Sequence, residues 1–153
     1  MVEIPNKIFN RAFEEIEVGV STLNFFSKPN FENAQVQYKV EETKPKTKYV
    51  GKEFVVIGNE ASLNEPIIAK IDDEKIPIYK VFKNSANSLE KVADSCEQYY
   101  DVLGKIKETD LYRRDKVNNL LSDIEKIVPQ DSMYYWNDLI NSAYNYYADT
   151  YED

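Results

Sequence analysis

The chain has 153 residues, 42% of them hydrophobic and 13% aromatic, enough apolar material for one self-sufficient core. Its 27 acidic residues outweigh 19 basic ones, giving a net charge of −8, which argues against nucleic acid or an anionic membrane as partner and fits a basic protein. Histidine is absent and Cys96 is the one cysteine, so His-dependent triads, His- or Cys-based zinc sites and an internal disulfide are excluded. A hard cation on carboxylates, or acid–base work by a carboxylate pair, stays open.

The N-terminus shows no basic segment followed by an apolar run, so no secretory signal is expected. No apolar run approaches the ~20 residues of a membrane span, and a cytoplasmic location is expected. Pro5 can start a helix from Asn6 to Glu17, because Ile8, Phe9, Ala12, Phe13 and Ile16 recur at helical spacing and Gly19 can end it. Leu23, Phe25 and Phe26 form a short apolar patch of undecided type. In "AQVQYKV", Val36, Tyr38 and Val40 alternate with polar residues and predict a half-buried strand. "EETKPKTKYVGK" reads as a polar loop. "EFVVIG" reads as a buried strand. "PIIAKI" and "KIPIYKVF", joined by "DDE", read as a hairpin, with Pro66 and Pro77 at strand ends or edges.

From Asn87 the pattern turns helical. Asn87 can cap with Glu90, and Leu89, Val92, Ala93, Cys96, Tyr99 or Tyr100, Leu103 and Ile106 make one stripe. A second helix, capped by Thr109 or Asp110, carries Val117, Leu120, Leu121, Ile124 and Val128 before Pro129. A third, capped by Asp131, carries Met133, Trp136, Ile140, Tyr144 and Tyr147. Strands in the middle and helices at both ends predict a single α+β domain with a central antiparallel sheet of about four or more strands.

Within this frame stand "VVIG" (Val55 to Gly58), "LNEP" (Leu63 to Pro66), "IAKI" (Ile68 to Ile71), "IPIY" (Ile76 to Tyr79) and "VADSCEQYY" (Val92 to Tyr100). Their order and spacing resemble the SUKH superfamily, whose members carry a strand ending "iG", then "LGDP", "fiDl", "PVY" and a helix opening "iAdSFeeFl". The resemblance covers roughly 53–103. Asn64 and Glu65 stand where the family pattern has glycine and aspartate, and Cys96 where it has phenylalanine. The helices after Lys107 lie outside it. A divergent member is implied, with a sheet packed on helices. The superfamily holds yeast cell-wall-synthesis regulators, the bacterial Syd protein and bacterial immunity proteins that neutralise toxins, often nucleases. All of these are protein-binding roles.

Among candidate site residues, Asp72, Asp73 and Glu74 fit turn chemistry, with a second use as an acidic face. Glu60 and Glu65 read as members of a solvated loop that can face a partner. Ser95 and Asp94 serve the helix, Ser95 by bonding a carbonyl one turn back and Asp94 by complementing the helix dipole. Cys96 sits on the buried stripe as a small hydrophobe. From Ile127 to Asp153 there is no Lys or Arg, yet six of the twelve tyrosines lie there, with Trp136. Tyr134, Tyr135, Tyr146 and Tyr151 cannot all share the packed stripe, so aromatic surface should remain exposed, where Tyr and Trp anchor interfaces.

The expected partner-binding residues are therefore Glu60, Glu65, Asp72, Asp73 and Glu74, and Tyr134, Tyr135, Trp136, Asp138, Tyr146, Asp149 and Tyr151. Taken with the resemblance, these imply a non-enzymatic immunity protein whose acidic, Tyr-rich face covers a basic toxin domain. A cytoplasmic regulatory adaptor is the alternative. A hydrolase built on Glu60, Glu65 or Asp72 is the remaining reading. No cofactor and no metal are implied, and the oligomeric state stays open.

Overall fold

Every strand finds its partner in the next strand along the chain, so the sheet is a simple antiparallel meander. The computed structural model describes residues 4–41, 54–82 and 89–151, and the side chains of all of these but 38–41 and 149–151. The strands are β1 (Glu15–Val18), β2 (Ser21–Phe25), β3 (Phe54–Glu60), β4 (Glu65–Lys70), β5 (Ile78–Val81) and β6 (Leu89–Ala93), in the order β1-β2-β3-β4-β5-β6. The helices are α1 (Lys28–Glu41), α2 (Cys96–Lys107), α3 (Arg114–Glu125) and α4 (Met133–Tyr151). The fold is α+β, with a six-stranded antiparallel sheet.

One face of the sheet carries the main core. Ile16, Val18, Leu23, Phe25, Val55, Ile57, Ile67, Ala69, Ile78 and Val92 meet Tyr99, Leu103, Ile106, Leu120, Ile124, Trp136 and Ile140 from the helices. The opposite face carries a smaller cluster of Val56, Ile68 and Val81 with Phe26, Phe54, Tyr79 and Leu89 at its margin. This two-sided burial explains why "VVI" and "PIIA" are continuous apolar runs rather than alternating ones.

The expected helix over Asn6–Glu17 is a correction. Only a 3-10 turn forms, at Asn6–Phe9. The Ile8 carbonyl accepts from Arg11 Nη1 at 3.0 Å and from the Tyr100 hydroxyl, which removes it from the helical ladder. Glu15–Val18 then follows its own period of two, with Ile16 and Val18 buried and the glutamates exposed. Gly19 does not end a helix; it opens the two-residue β1–β2 turn at φ +67°, and a Cβ there would lie 2.7 Å from Ala143 Cα.

The expected strand over Ala34–Val40 is likewise a helix. Pro29 sits in the first turn of α1, and Glu32, Ala34, Gln35 and Gln37 are compatible helix formers, so local propensity overrides the short alternation. Phe31 and Ala34 are buried, whereas Val36 is exposed. Gln35 acts as a strand substitute: its Oε1 accepts from Val56 N–H at 2.8 Å and its Nε2 donates to Val56 C=O at 2.6 Å, beyond the end of β2. The "EETKPKTKYVGK" loop and the Asn87 cap fall largely or wholly outside the described residues.

Leu89 to Ala93 form strand rather than helix, and α2 starts at Cys96. Ser95 is the N-cap: its hydroxyl accepts from Gln98 N–H at 3.1 Å, while Gln98 Oε1 accepts from Asp94 N–H at 2.9 Å. Ser95 thus caps the helix instead of bonding back into it, and the Asp94 carboxylate pairs with Lys91 at 2.7 Å. Thr109 belongs to the end of α2, donating to Lys105 C=O at 2.6 Å, and Arg113 occupies the N-cap position of α3. The apolar stripes of α3 and α4 pack as their periodicity predicts. Trp136 anchors α4 by donating from Nε1 to Val92 C=O at 2.8 Å, and Ser132 Oγ donates to Lys91 C=O at 2.9 Å, so β6 is held at two carbonyls.

Candidate functional site

The carboxylates that the sequence singles out separate into two ends of the sheet. β4 spans 6 residues, about 20 Å. Glu60 and Glu65 face each other at its start, and Asp72, Asp73 and Glu74 lie in the turn beyond its end.

At the far turn, Asp72, Asp73 and Glu74 are exposed. Asp73 Oδ1 accepts from Lys75 N–H at 2.9 Å, and Asp73 C=O accepts from Ile76 N–H at 3.0 Å, the turn chemistry expected of the sequence. Lys70 and Lys75 flank these acids and dilute their charge.

Glu60 and Glu65 are only 4% and 5% exposed, so they are not members of a solvated loop and not surface contacts. Glu60 Oε1 accepts from Ser62 Oγ at 2.6 Å and Oε2 from Leu63 N–H at 2.9 Å, tying down the β3–β4 turn. Asn64 in that turn takes φ +50°, a conformation asparagine tolerates. Glu65 pairs with Lys80 Nζ at 2.6 Å, and that ammonium lies 4.0 Å from the Phe82 ring centroid. Glu90, opposite Lys80 on β6, completes the layer: burial raises its carboxyl above the ordinary range, Lys80 lowers it and Asp138 raises it. Tyr135 lies against the same layer. Burial pushes its hydroxyl up, and the charges of Glu60, Glu90, Glu65 and Asp138 act in the same direction.

This layer closes the space between the sheet and the first half of α4. Lys80 and Glu90 were not singled out as site residues by sequence reasoning. The available signal was Lys80 between Ile78 and Phe82 in a strand, where period two turns all of them to one face.

The surface of α4 is different in kind. Tyr134 is 77% exposed and Tyr146 46%, and Asp131 and Asp138 are exposed. Tyr134 and Asp138 are one helical turn apart, and Asp138, Ser142 and Tyr146 continue along a flank at steps of four. The other flank meets α3, where Arg114 bonds Asn141 Oδ1 at 3.0 Å and lies over the Tyr144 ring at 5.0 Å. The β1–β2 turn meets the inner side of α4, and the β3–β4 turn connects to the layer beneath Tyr135. Gly19 abuts Ala143 and its N–H donates to the Tyr147 hydroxyl at 3.1 Å, and Glu60 joins Leu63 to the layer under Tyr135. Val20 and Leu63, at the tips of those turns, are 66% and 64% exposed.

The expected aromatic face is thus corrected in its membership. Trp136 is fully buried and Tyr135 nearly so, and both serve the core. Tyr134, Asp138 and Tyr146 remain on the surface. Asp149 and Tyr151 belong to α4, but their side chains fall outside the described ones.

Comparison of the chain with protein-family models, curated proteins and solved structures finds no match. The site therefore stands on its geometry. Among the described residues no group of three or more His, Cys, Asp or Glu is arranged to hold a metal ion, and no helix is long and apolar enough to cross a membrane. Cys96 is buried, and burial pushes its thiol up to about 11, the opposite of an activated nucleophile.

Proposed function

We propose that the chain is a non-enzymatic, cytoplasmic protein-binding protein, an immunity protein that neutralises a basic toxin domain by covering it. The observation that carries this reading is the outward side of α4. Tyr134 is 77% exposed beside Asp138, on a segment from Ile127 to Asp153 that contains no Lys or Arg. Exposed tyrosine supplies contact area at small entropic cost, and the exposed carboxylates of Asp131 and Asp138 steer a basic partner toward it. Tyr146, 46% exposed farther along α4, extends the surface with aromatic area. The Asp72–Glu74 turn is the weaker face, because lysines stand on both sides of it. Glu60 and Glu65 are engaged in the fold itself, which supports binding over hydrolysis as the use of the acidic residues.

The test is co-expression with the C-terminal domain of a large secreted protein encoded beside the gene. Growth rescued by this chain, with the two proteins co-purifying, is the expected result. Growth lost with and without it, and no complex, counts against the pairing. The regulatory adaptor is the second reading. It rests on exposed apolar side chains on other surfaces, Val36 on α1 and Tyr112 before α3, which suit several weak partners rather than one tight one.

A further inference from the structure

A hollow of about 360 Å³ opens between the segment after the 3-10 turn and the start of α1, lined by Phe9, Arg11, Phe13, Glu14, Ser27 and Lys28 among others. It lies at the end of β1 away from the Gly19–Val20 turn and is independent of the α4 surface. Its charge is unusual for this chain. Arg11 donates from Nη1 to Ile8 C=O at 3.0 Å and from Nη2 to Phe26 C=O at 2.9 Å, which fixes the guanidinium at the wall. Aromatic rings lie beside it, with Phe25 at 5.4 Å and Tyr100 at 6.0 Å. Its Nε–H is buried with no hydrogen-bond partner.

Two lysines repeat the pattern. Lys28 Nζ stands 5.6 Å from the Phe9 ring, and Lys107 Nζ stands 6.0 Å from the Phe13 ring. Among the described residues none of Arg11, Lys28 and Lys107 is ion-paired with a carboxylate, although the chain has 27 acidic side chains. The lining sets two cations, Arg11 and Lys28, against one carboxylate, Glu14, and neither cation is tied to it; cations held over aromatic rings at a partly enclosed hollow form a receptor for an anion. The electrostatic attraction is stronger there than at an open surface. The Phe9 and Phe13 rings offer apolar area to whatever carries the anion. A volume near 360 Å³ is at the small end of ligand sites, which run from roughly 300 Å³ upward.

We infer that this hollow binds a small aromatic oxyanion, a phosphate or carboxylate borne on a ring. The charged group sits between Arg11 and Lys28, with Lys107 adding positive charge from beside Phe13, and the ring sits against Phe9 and Phe13.

The experiment titrates the full chain with phenyl phosphate, benzoate and inorganic phosphate at constant ionic strength, following backbone amide shifts by NMR. The expected result is a saturable shift confined to Phe9–Glu14 and Ser27–Lys28, with phenyl phosphate or benzoate binding more tightly than inorganic phosphate. The tighter of the two ring compounds names the headgroup. The double variant Lys28→Gln, Lys107→Gln changes exposed side chains and keeps the fold, so its amide spectrum elsewhere stays as in the parent. Its dissociation constant is expected to rise about tenfold or more, as loss of charge-assisted contacts requires. Non-saturating shifts, shifts centred elsewhere, or an unchanged constant in the double variant would each overturn the site. Equal binding of inorganic phosphate and phenyl phosphate would overturn the ring as part of the ligand.

Discussion

Replacing Lys80 by Met isolates the energetics of the layer beneath α4. The ammonium lies 2.6 Å from Glu65, and the two side chains are only 6% and 7% exposed. Removing it leaves a carboxylate in a dry layer that already holds Glu60 and borders Glu90. Methionine keeps most of the apolar stem, so the loss is electrostatic rather than a cavity. Breaking a buried pair from one side costs about 3–5 kcal/mol, a large part of the ~5–15 kcal/mol that holds a domain of this size. Removing both partners, as in Glu65→Met with Lys80→Met, takes away the unpaired charge and should return stability to within about 1 kcal/mol of the parent. Urea unfolding followed by fluorescence reads this directly, because Trp136 is the one tryptophan and is fully buried. The midpoint should fall in the single variant with the slope unchanged. A single variant that loses less than about 1 kcal/mol, or a double variant no better than the single, would refute the reasoning.

Gly19→Ala sets a Cβ 2.7 Å from Ala143 Cα at φ +67°, and a loss of about 1–3 kcal/mol is expected in the same urea assay; unchanged stability would contradict that close approach. Glu90 carries a pH dependence of known sign. Its folded-state value is raised above 4.5 chiefly by burial, so the native chain holds this proton more readily than the unfolded one, and its contribution to stability falls as pH rises from 4.5 through the folded-state value. Glu90→Gln should therefore stabilise at pH 7, with the gain vanishing below pH 4.5, and a loss at pH 7 would show that Lys80 outweighs burial. The Cys96 thiol, pushed up to about 11 by burial, should stay unlabelled by a thiol reagent at pH 8 until the chain unfolds; rapid labelling of the native protein would contradict its burial.

The elements legible in the sequence are those whose pattern is long or punctuated. "EFVVIG", "PIIAKI" and "KIPIYKVF" became β3, β4 and β5, with Asp72 to Glu74 as their turn. The stripes of Val117 to Val128 and Met133 to Tyr147 became the inner faces of α3 and α4. The failures are short segments whose pattern fits two periods. Ile8 to Ile16 fits a helix until Arg11 and Tyr100 take the Ile8 carbonyl, and both contacts depend on the folded chain. Val36 to Val40 alternates, yet Gln35 is needed in a helix to complete β3. Leu89 to Ala93 continues a helical stripe into α2, but Ser95 and Gln98 cap that helix where Asn87 and Glu90 were expected to. The site divides for the same reason. One residue of α4 turns the side chain by about 100°, which places Tyr134 in solvent and Tyr135 in the core, and composition alone does not order the two. Glu65 looks like a loop acid until Lys80 is brought across from β5, and Glu60 turns inward to bond Ser62 and Leu63 of its own turn.

The central claim is that the outward side of α4 binds a basic partner, and paired surface variants in the neutralisation assay test it most directly. Tyr134→Ala combined with Asp138→Arg changes exposed side chains on α4, and Asp72→Lys combined with Asp73→Lys changes the far turn. With growth rescue and co-purification as readouts, the account predicts that the α4 pair abolishes both while the far-turn pair keeps them. Rescue retained by the α4 pair and lost by the far-turn pair would contradict it, and would move the interface to the opposite end of β4.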